Sequence, residues 1–319
     1  MMMNENRKVI AVAGPTASGK TKLAIEIAGK FNGEIISCDS MQVYKGMDIG
    51  TAKPTAEELL KVKHHMIGVV EPSAAFSAAD YVDMAEGIIS GLTQNGKLPV
   101  VAGGTGLYAR SLLYKVDFDQ DSRDDALRAK LTETAENGGI EELYSKLMEL
   151  DGDLEIHINN QKRVIRALEY CLVTGRPFSR QSEESSAVPR YDFLMLGISY
   201  RDRSKLYDRI NARVDAMVSQ GLVEEAKEYY NNRVYGTTSV QAIGYKELFP
   251  YFDGNSSLEE ALENIKRETR RYAKRQLTWF RKEQRIHWLY ADDYKNESEF
   301  LNEALRIVEK HLESAPVNL

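Results

Sequence analysis

The segment Gly14-Pro15-Thr16-Ala17-Ser18-Gly19-Lys20-Thr21 fits the pattern G-x-x-x-x-G-K-[ST] at every fixed position. Its glycines let the backbone wrap tightly, so successive N–H groups can converge on one anion-sized hollow. A helix starting at the end of the loop adds the positive end of its dipole. Lys20 can reach an outer phosphate, and the Thr21 hydroxyl suits a magnesium ion. The pattern specifies a polyphosphate and not, by itself, a nucleotide such as ATP. Asp39 closes a second apolar run, Glu34-Ile35-Ile36-Ser37-Cys38. One strand away from a phosphate loop, such an acid suits a magnesium-water ligand or a general base. A helix cap is its plain structural alternative. Gly103-Gly104-Thr105-Gly106 follows a third apolar run and offers Thr105 as a ligand-side residue. His64 and His65 are adjacent, so on a strand they point to opposite faces and read as structural rather than as a metal pair.

These residues need a scaffold that brings strand ends together. Val9–Ala13 reads as a buried strand and Lys22–Lys30 as a helix. Strands over Glu34–Asp39, His64–Val70 and Leu98–Ala102 follow, with a helix over Ser77–Leu92. Alternation of this kind predicts a parallel sheet, with ligands off the carboxyl ends of its strands. The fold class is therefore α/β: a P-loop NTPase-like parallel sheet flanked by helices, with a helical insertion domain and a helical C-terminal part. Residues 115–190 are polar and helical in pattern, with Leu143, Leu147 and Leu150 on one face and Val164, Leu168 and Leu172 on another. The expected domains are a catalytic core, 1–114 plus 191–319, and the insertion, 115–190. Phe193–Ile198 returns to the sheet, and the remainder reads as helices over Lys205–Val218, Val223–Tyr230, Leu258–Glu283 and Glu297–Leu312.

The chain has 319 residues and a net charge of −6. Lys266 to Arg285 contains nine basic and two acidic residues, a local +7 that leaves −13 for the rest. The basic side chains fall on one helical face, with Ile265, Tyr272, Gln276 and Trp279 opposite and few acids at i,i+4. Such a stripe on an acidic body is the footprint of a phosphate backbone. Lys162, Arg163 and Arg166 form a second basic group. Cys38 and Cys171 sit in unlike contexts, so no disulfide framework or zinc site is expected. No apolar run approaches the ~20 residues of a membrane span, and the polar start is too short for a signal peptide. A cytoplasmic, monomeric protein is expected.

Six blocks occurring in order are similar to one family: Gly14–Thr21, Asp39–Tyr44, Gly103–Tyr108, Arg163–Glu169, Ala242–Lys246 and Lys274–Arg281. Together they resemble the bacterial tRNA dimethylallyltransferases. The Asp39 and Lys274 blocks are far more family-specific than the phosphate loop. The resemblance implies transfer of a dimethylallyl group from dimethylallyl diphosphate to N6 of the adenosine 3′ of the anticodon (position 37), in tRNAs reading codons that begin with U. It implies a prenyl diphosphate, rather than ATP, on Gly14 to Thr21, with Mg2+ on Thr21. It gives Asp39 the role of general base, with Lys20, Thr105 and Arg213 as further catalytic residues and Arg213 also gripping the diphosphate. Contacts with the tRNA anticodon stem-loop are implied for Asp39, Ser40, Met41, Gln42, Thr105, Arg128, Lys162, Arg163, Arg166, Gln241, Gly244, Tyr245 and Lys246. Lys274, Arg275, Gln276, Trp279 and Arg281 complete that set, with Tyr245 and Trp279 able to stack on bases. Some eukaryotic relatives carry a C-terminal zinc finger, and this chain has no cysteine after Cys171 to build one.

Three other readings compete. A P-loop kinase of a small metabolite would use Arg163, Arg166 and Arg176 as a lid, but has no use for a +7 helix outside it. An NTP-dependent nucleic-acid switch has no use for Asp39. Prenylation of a free adenine nucleotide would not need the insertion or the basic helix.

Overall fold

The structure is a computed structural model, and it describes residues 8–115, 124–179, 188–232, 236 and 238–315. Six strands form one fully parallel sheet in the order β3-β2-β4-β1-β5-β6. They are β1 (Lys8–Ala13), β2 (Gly33–Ser37), β3 (His64–His65), β4 (Leu98–Gly103), β5 (Asp192–Ser199) and β6 (Ile286–Tyr290). β1 is central, paired with β4 on one side and β5 on the other. Both its faces are covered, which is why Val9 to Ala13 is an unbroken apolar run rather than an alternating one. α1 (Lys20–Lys30) buries Leu23, Ala24 and Ile27 against Ile10, Val12 and Val100. The closing helix Glu297–Glu313 adds Phe300, Ala304 and Val308 to that layer.

Two strands depart from expectation. The C-terminal part is not all helical, because β6 pairs in parallel with β5, Met195 facing Ile286 through Ser199 facing Tyr290. Its run is five residues with only Leu289 buried, and a half-covered edge strand leaves a weak periodic signal. The strand expected over His64–Val70 stops after His65. Met66 and Gly68 take left-handed φ values of 62° and 60°, and only one bridge, Tyr44 to Val70, continues the pairing. His65 Nε2 lies 2.6 Å from Glu34 Oε2, in keeping with a structural histidine.

The chain divides into two compact units, one of residues 1–113 with 190–319 and one of 114–189. In the second, Leu131, Leu143, Leu147, Val164 and Leu168 form a separate core, and Asp124 caps the Asp125–Thr134 helix. Leu150 and Leu172, expected on the buried faces, are exposed (43% and 38%), so each apolar stripe is narrower than the spacing implies. In the first unit Arg190 N donates to Leu113 O at 2.8 Å, so the chain leaves that unit and re-enters it at adjoining points.

Two helices carry side chains to the carboxyl end of the sheet, Arg203–Ser219 and Leu258–Phe280. Leu206 and Ile210 of the first and Ala273 and Leu277 of the second pack with Ala17 of the phosphate loop. The second starts with a full capping box on Ser257 and Glu260 and ends at Phe280, so Arg281 is its C-cap rather than part of it. Cys38 and Cys171 are both free and buried.

Candidate active site

The phosphate loop leaves β1 and turns into α1 with Gly14 and Gly19 at φ 144° and 100°. A Cβ on Gly14 would lie 2.4 Å from Ile198 O, so no other residue fits there. Lys20 folds back, its Nζ donating to Pro15 O at 2.6 Å. Burial and the neighbouring Arg213 push the Lys20 ammonium down to about 7, while Asp39 pulls the other way. Arg213 Nη1 donates to Thr16 Oγ1 at 3.4 Å. One turn earlier on the same helix, Arg209 Nε donates to Ala17 O at 2.9 Å and braces the tip of the loop. Sequence reasoning missed Arg209; its i−4 spacing from Arg213 was the available signal.

Asp39 follows β2. Its Oδ1 accepts from Met41 N at 2.9 Å and Gln42 N at 3.4 Å. These two bonds close a turn over Ser40–Gln42; no helix follows, so Asp39 is not a helix cap, and its second oxygen, Oδ2, is not used by them. Burial raises its pKa above the ordinary aspartate value, against the two backbone donors and the Lys20 charge. Thr105 holds the segment in place: its Oγ1 accepts from Ser40 N at 2.9 Å, and its own N–H donates to Cys38 O at 3.1 Å. Gln42 Nε2 donates to Ala52 O at 2.9 Å, tying the Asp39 segment to the following loop.

Gln276 joins three of these pieces. Its Oε1 accepts from Thr16 N at 2.9 Å and its Nε2 donates to Gly104 O at 3.0 Å. A Cβ on Gly104 would sit 2.0 Å from that Nε2, so the close approach requires glycine. Gln276 is 5% exposed and ties the basic helix to both phosphate-side loops. Tyr272, one turn before it, was placed by sequence only on the face opposite the basic side chains; burial raises its phenol well above the ordinary tyrosine value.

One cavity of about 260 Å³ gathers residues from the phosphate loop, the Asp39 segment, the Gln241–Lys246 segment and the basic helix, while Thr105 stands behind its wall. Thr16, Lys20, Thr21 and Arg213 line one part; Asp39, Ser40, Met41 and Gln42 line another; Gln241, Gly244, Lys246, Arg275 and Gln276 complete the set. Gly50, Thr51, Ala52, Met217 and Tyr272 also line it and were not foreseen as site residues, because loop and helix neighbours of this kind are set by tertiary packing. Tyr245 does not reach it. Its side chain is fully buried, with its hydroxyl on Glu225, so it is a core residue and not a stacking platform. Trp279 packs over Gly106 and lines a shallow depression with Arg271, Lys274, Arg275, Thr278 and Lys282.

The basic face is less free than the spacing suggests. Lys266 pairs with Asp215 at 2.8 Å and Glu263 at 3.3 Å, Arg271 with Glu268 at 2.7 Å, and Arg270 bonds Asn211 at 2.6 Å. Acids at i,i+3 and on the neighbouring helix supply what i,i+4 lacks. Lys274, Arg275, Arg281 and Lys282 are all exposed. In the insertion unit, Arg128 and Arg166 both bond the fully buried Glu169, at 2.7 and 3.0 Å, while Lys162 and Arg163 are exposed. Among the described residues no cluster of three or more His, Cys, Asp or Glu could hold a metal ion.

The model of the IPP transferase family matches residues 42–283. The chain belongs to the IPP transferase family. It is 47% identical to the tRNA dimethylallyltransferase of Bacillus cytotoxicus, across 94% of this chain and 96% of that one. A tRNA dimethylallyltransferase of Acetivibrio thermocellus is 49% identical, across 92% and 95%. The crystal structure of the full-length tRNA isopentenylpyrophosphate transferase from Bacillus halodurans aligns with a TM-score of 0.73 and 44% identity, covering 97% of each chain. A eukaryotic dimethylallyltransferase solved acting on tRNA aligns with a TM-score of 0.84 and 31% identity, covering 98% of this chain and 81% of that one. In this member of the IPP transferase family a parallel sheet carries the phosphate loop, and the chain is a prenyltransferase.

Proposed function

We propose that this enzyme transfers the dimethylallyl group of dimethylallyl diphosphate to N6 of adenosine 37 in tRNAs that read codons beginning with U, releasing diphosphate. The observation that carries this reading is the cavity itself. It sets a phosphate loop with two basic side chains, Lys20 and Arg213, against the partly buried carboxylate of Asp39. A kinase would use the first half; a transfer to a weakly nucleophilic amine uses both.

The chemistry divides between these residues. The loop amides, Lys20 and Arg213 hold the diphosphate and stabilise the charge that grows on it as the allylic C–O bond breaks. The adenine amine attacks the allylic carbon and becomes cationic, and Asp39 takes its proton. Thr105 fixes the backbone after Asp39 through Ser40 N. Gln276, bonded to Thr16 and Gly104, keeps the two loops in register. Magnesium fits this cavity, since the Thr21 hydroxyl offers a hard oxygen donor beside the diphosphate position. Bound there, it would neutralise diphosphate charge. Lys274, Arg275 and Arg281, with Lys162 and Arg163 of the insertion, take the anticodon stem-loop backbone. No helix among the described residues is long and apolar enough to cross a membrane, and the enzyme works as a cytoplasmic monomer on this reading.

Incubation with labelled dimethylallyl diphosphate, unmodified tRNA and Mg2+ tests it. Label should enter tRNA at one adenosine. Transfer of the terminal phosphate of ATP to a small metabolite, with dimethylallyl diphosphate ignored, would reverse the conclusion in favour of a kinase. Label entering free AMP but not tRNA would move the acceptor.

A further inference from the structure

We infer that Glu225 is a positioning residue for the acceptor side of the cavity, acting through the Asp48–Ala52 loop. This rests on the prenyl-transfer reading above.

Glu225 sits in the first turn of the Leu222–Asn232 helix, outside the cavity. Its carboxylate accepts from three consecutive backbone amides: Asp48 N at 2.9 Å and Ile49 N at 2.9 Å on Oε2, and Gly50 N at 2.9 Å on Oε1. The Tyr245 hydroxyl donates to Oε1 at 2.5 Å. Three successive N–H groups converging on one anion form a nest, here filled by the protein's own side chain. What it holds is the wall of the reaction cavity. Gly50, Thr51 and Ala52 line that cavity, and Thr51 O and Ala52 O accept from Gln42 Nε2, three residues from Asp39. Gly50 lies against the Tyr245 ring, where an added Cβ would be 2.4 Å from Cε2. The loop is thus clamped by Glu225 and Tyr245 and hands its position to the Asp39 segment through Gln42.

Two acceptor oxygens suit this place and an amide does not. Glu225→Gln keeps the length, but one of its two polar ends becomes an NH2 group facing backbone donors, so at least one amide loses its acceptor. The loop borders the Asp39–Gln42 and Gln241–Lys246 parts of the cavity, and its hydrogen bonds run to Gln42 and Glu225 rather than to the phosphate loop. Loosening it should therefore disturb the adenosine and leave the diphosphate alone.

The test compares wild type and Glu225→Gln in steady-state prenylation of tRNA and in equilibrium titration with dimethylallyl diphosphate. The expected result is a KM for tRNA raised about tenfold, kcat lowered severalfold, and diphosphate affinity unchanged within about twofold. If Glu225→Gln does not fold, Tyr245→Phe removes one donor to the carboxylate while keeping the core ring, and should shift the tRNA KM about threefold in the same direction. Wild-type kinetics with a lowered melting temperature would make Glu225 a stability residue only and overturn the inference. So would a diphosphate affinity that falls as far as the KM for tRNA rises. A wild type that does not prenylate tRNA would instead defeat the functional reading, which separates the two failures.

Discussion

Asp39 and Lys20 show how one cavity asks opposite things of two ionisable groups. Burial raises the Asp39 carboxyl, so the base is protonated, and idle, at a pH where an exposed aspartate would still be charged. Turnover should fall as pH drops through that raised value, and the acid limb should be absent from the residual activity of Asp39→Asn. That variant is expected to bind both substrates nearly normally and to lose about 10²-fold or more in single-turnover rate. A comparable loss of magnesium-dependent diphosphate binding would instead assign Asp39 to the metal. Lys20 runs the other way. Its ammonium is held at about 7 in the free enzyme, and a bound diphosphate must restore the charge. Binding of inorganic diphosphate should therefore take up a proton, and affinity should decline as pH rises above that value. Calorimetry in buffers of different ionisation enthalpy measures that uptake directly. Lys20→Met should flatten the profile and weaken binding at every pH.

The Leu258–Phe280 helix serves two partners from opposite faces. Its inner face carries Gln276, Ala273 and Leu277 into the phosphate-loop packing, and its outer face carries exposed cations. Separate substitutions should separate the two jobs. Gln276→Ala leaves the buried Gly104 O without its partner, a penalty of roughly 1–3 kcal/mol, and frees Thr16 N at the cavity wall. Thermal unfolding should detect it, together with weaker diphosphate binding. Lys274→Ala with Lys282→Ala should leave stability and diphosphate affinity alone. The slope of log affinity for tRNA against log salt should then shrink by about 0.7–0.9 for each phosphate no longer neutralised. An unchanged slope would mean that these cations are only a solvated face. Arg271 is the poorer choice for this test, because its charge is already engaged by Glu268.

At the scale of the whole molecule the two units make separate demands. The insertion has its own apolar core around Leu147, Val164 and Leu168, and Leu113 and Arg190, at the ends of the other unit, are joined by a backbone hydrogen bond. Replacing residues 115–189 with a short glycine-serine linker should leave a core that unfolds cooperatively and still binds diphosphate. Weakened tRNA affinity in that protein, with diphosphate binding intact, is the expected outcome of titrations with each ligand. A deleted protein that binds tRNA normally would remove Lys162 and Arg163 from the interface.

The sequence by itself determined what depends on neighbours along the chain. The phosphate loop, the acid after β2 and the glycine run after β4 were legible because each is a local pattern, and a parallel sheet places all such strand ends at one edge. The long helices were legible because a buried stripe repeats every three or four residues. Tertiary structure alone decided the rest. Tyr245 lies in a segment read as tRNA-facing, yet its ring fills a core position against Gly50. Gln276 looked like part of a tRNA-facing helix, but its amide spans two loops far away in sequence. Which cations of the stripe are free depended on Asp215, carried by another helix. β6 went unread because its pairing partner, β5, supplies most of what defines it as a strand. In each case the deciding interaction joins residues distant along the chain, and periodicity and spacing carry no record of it.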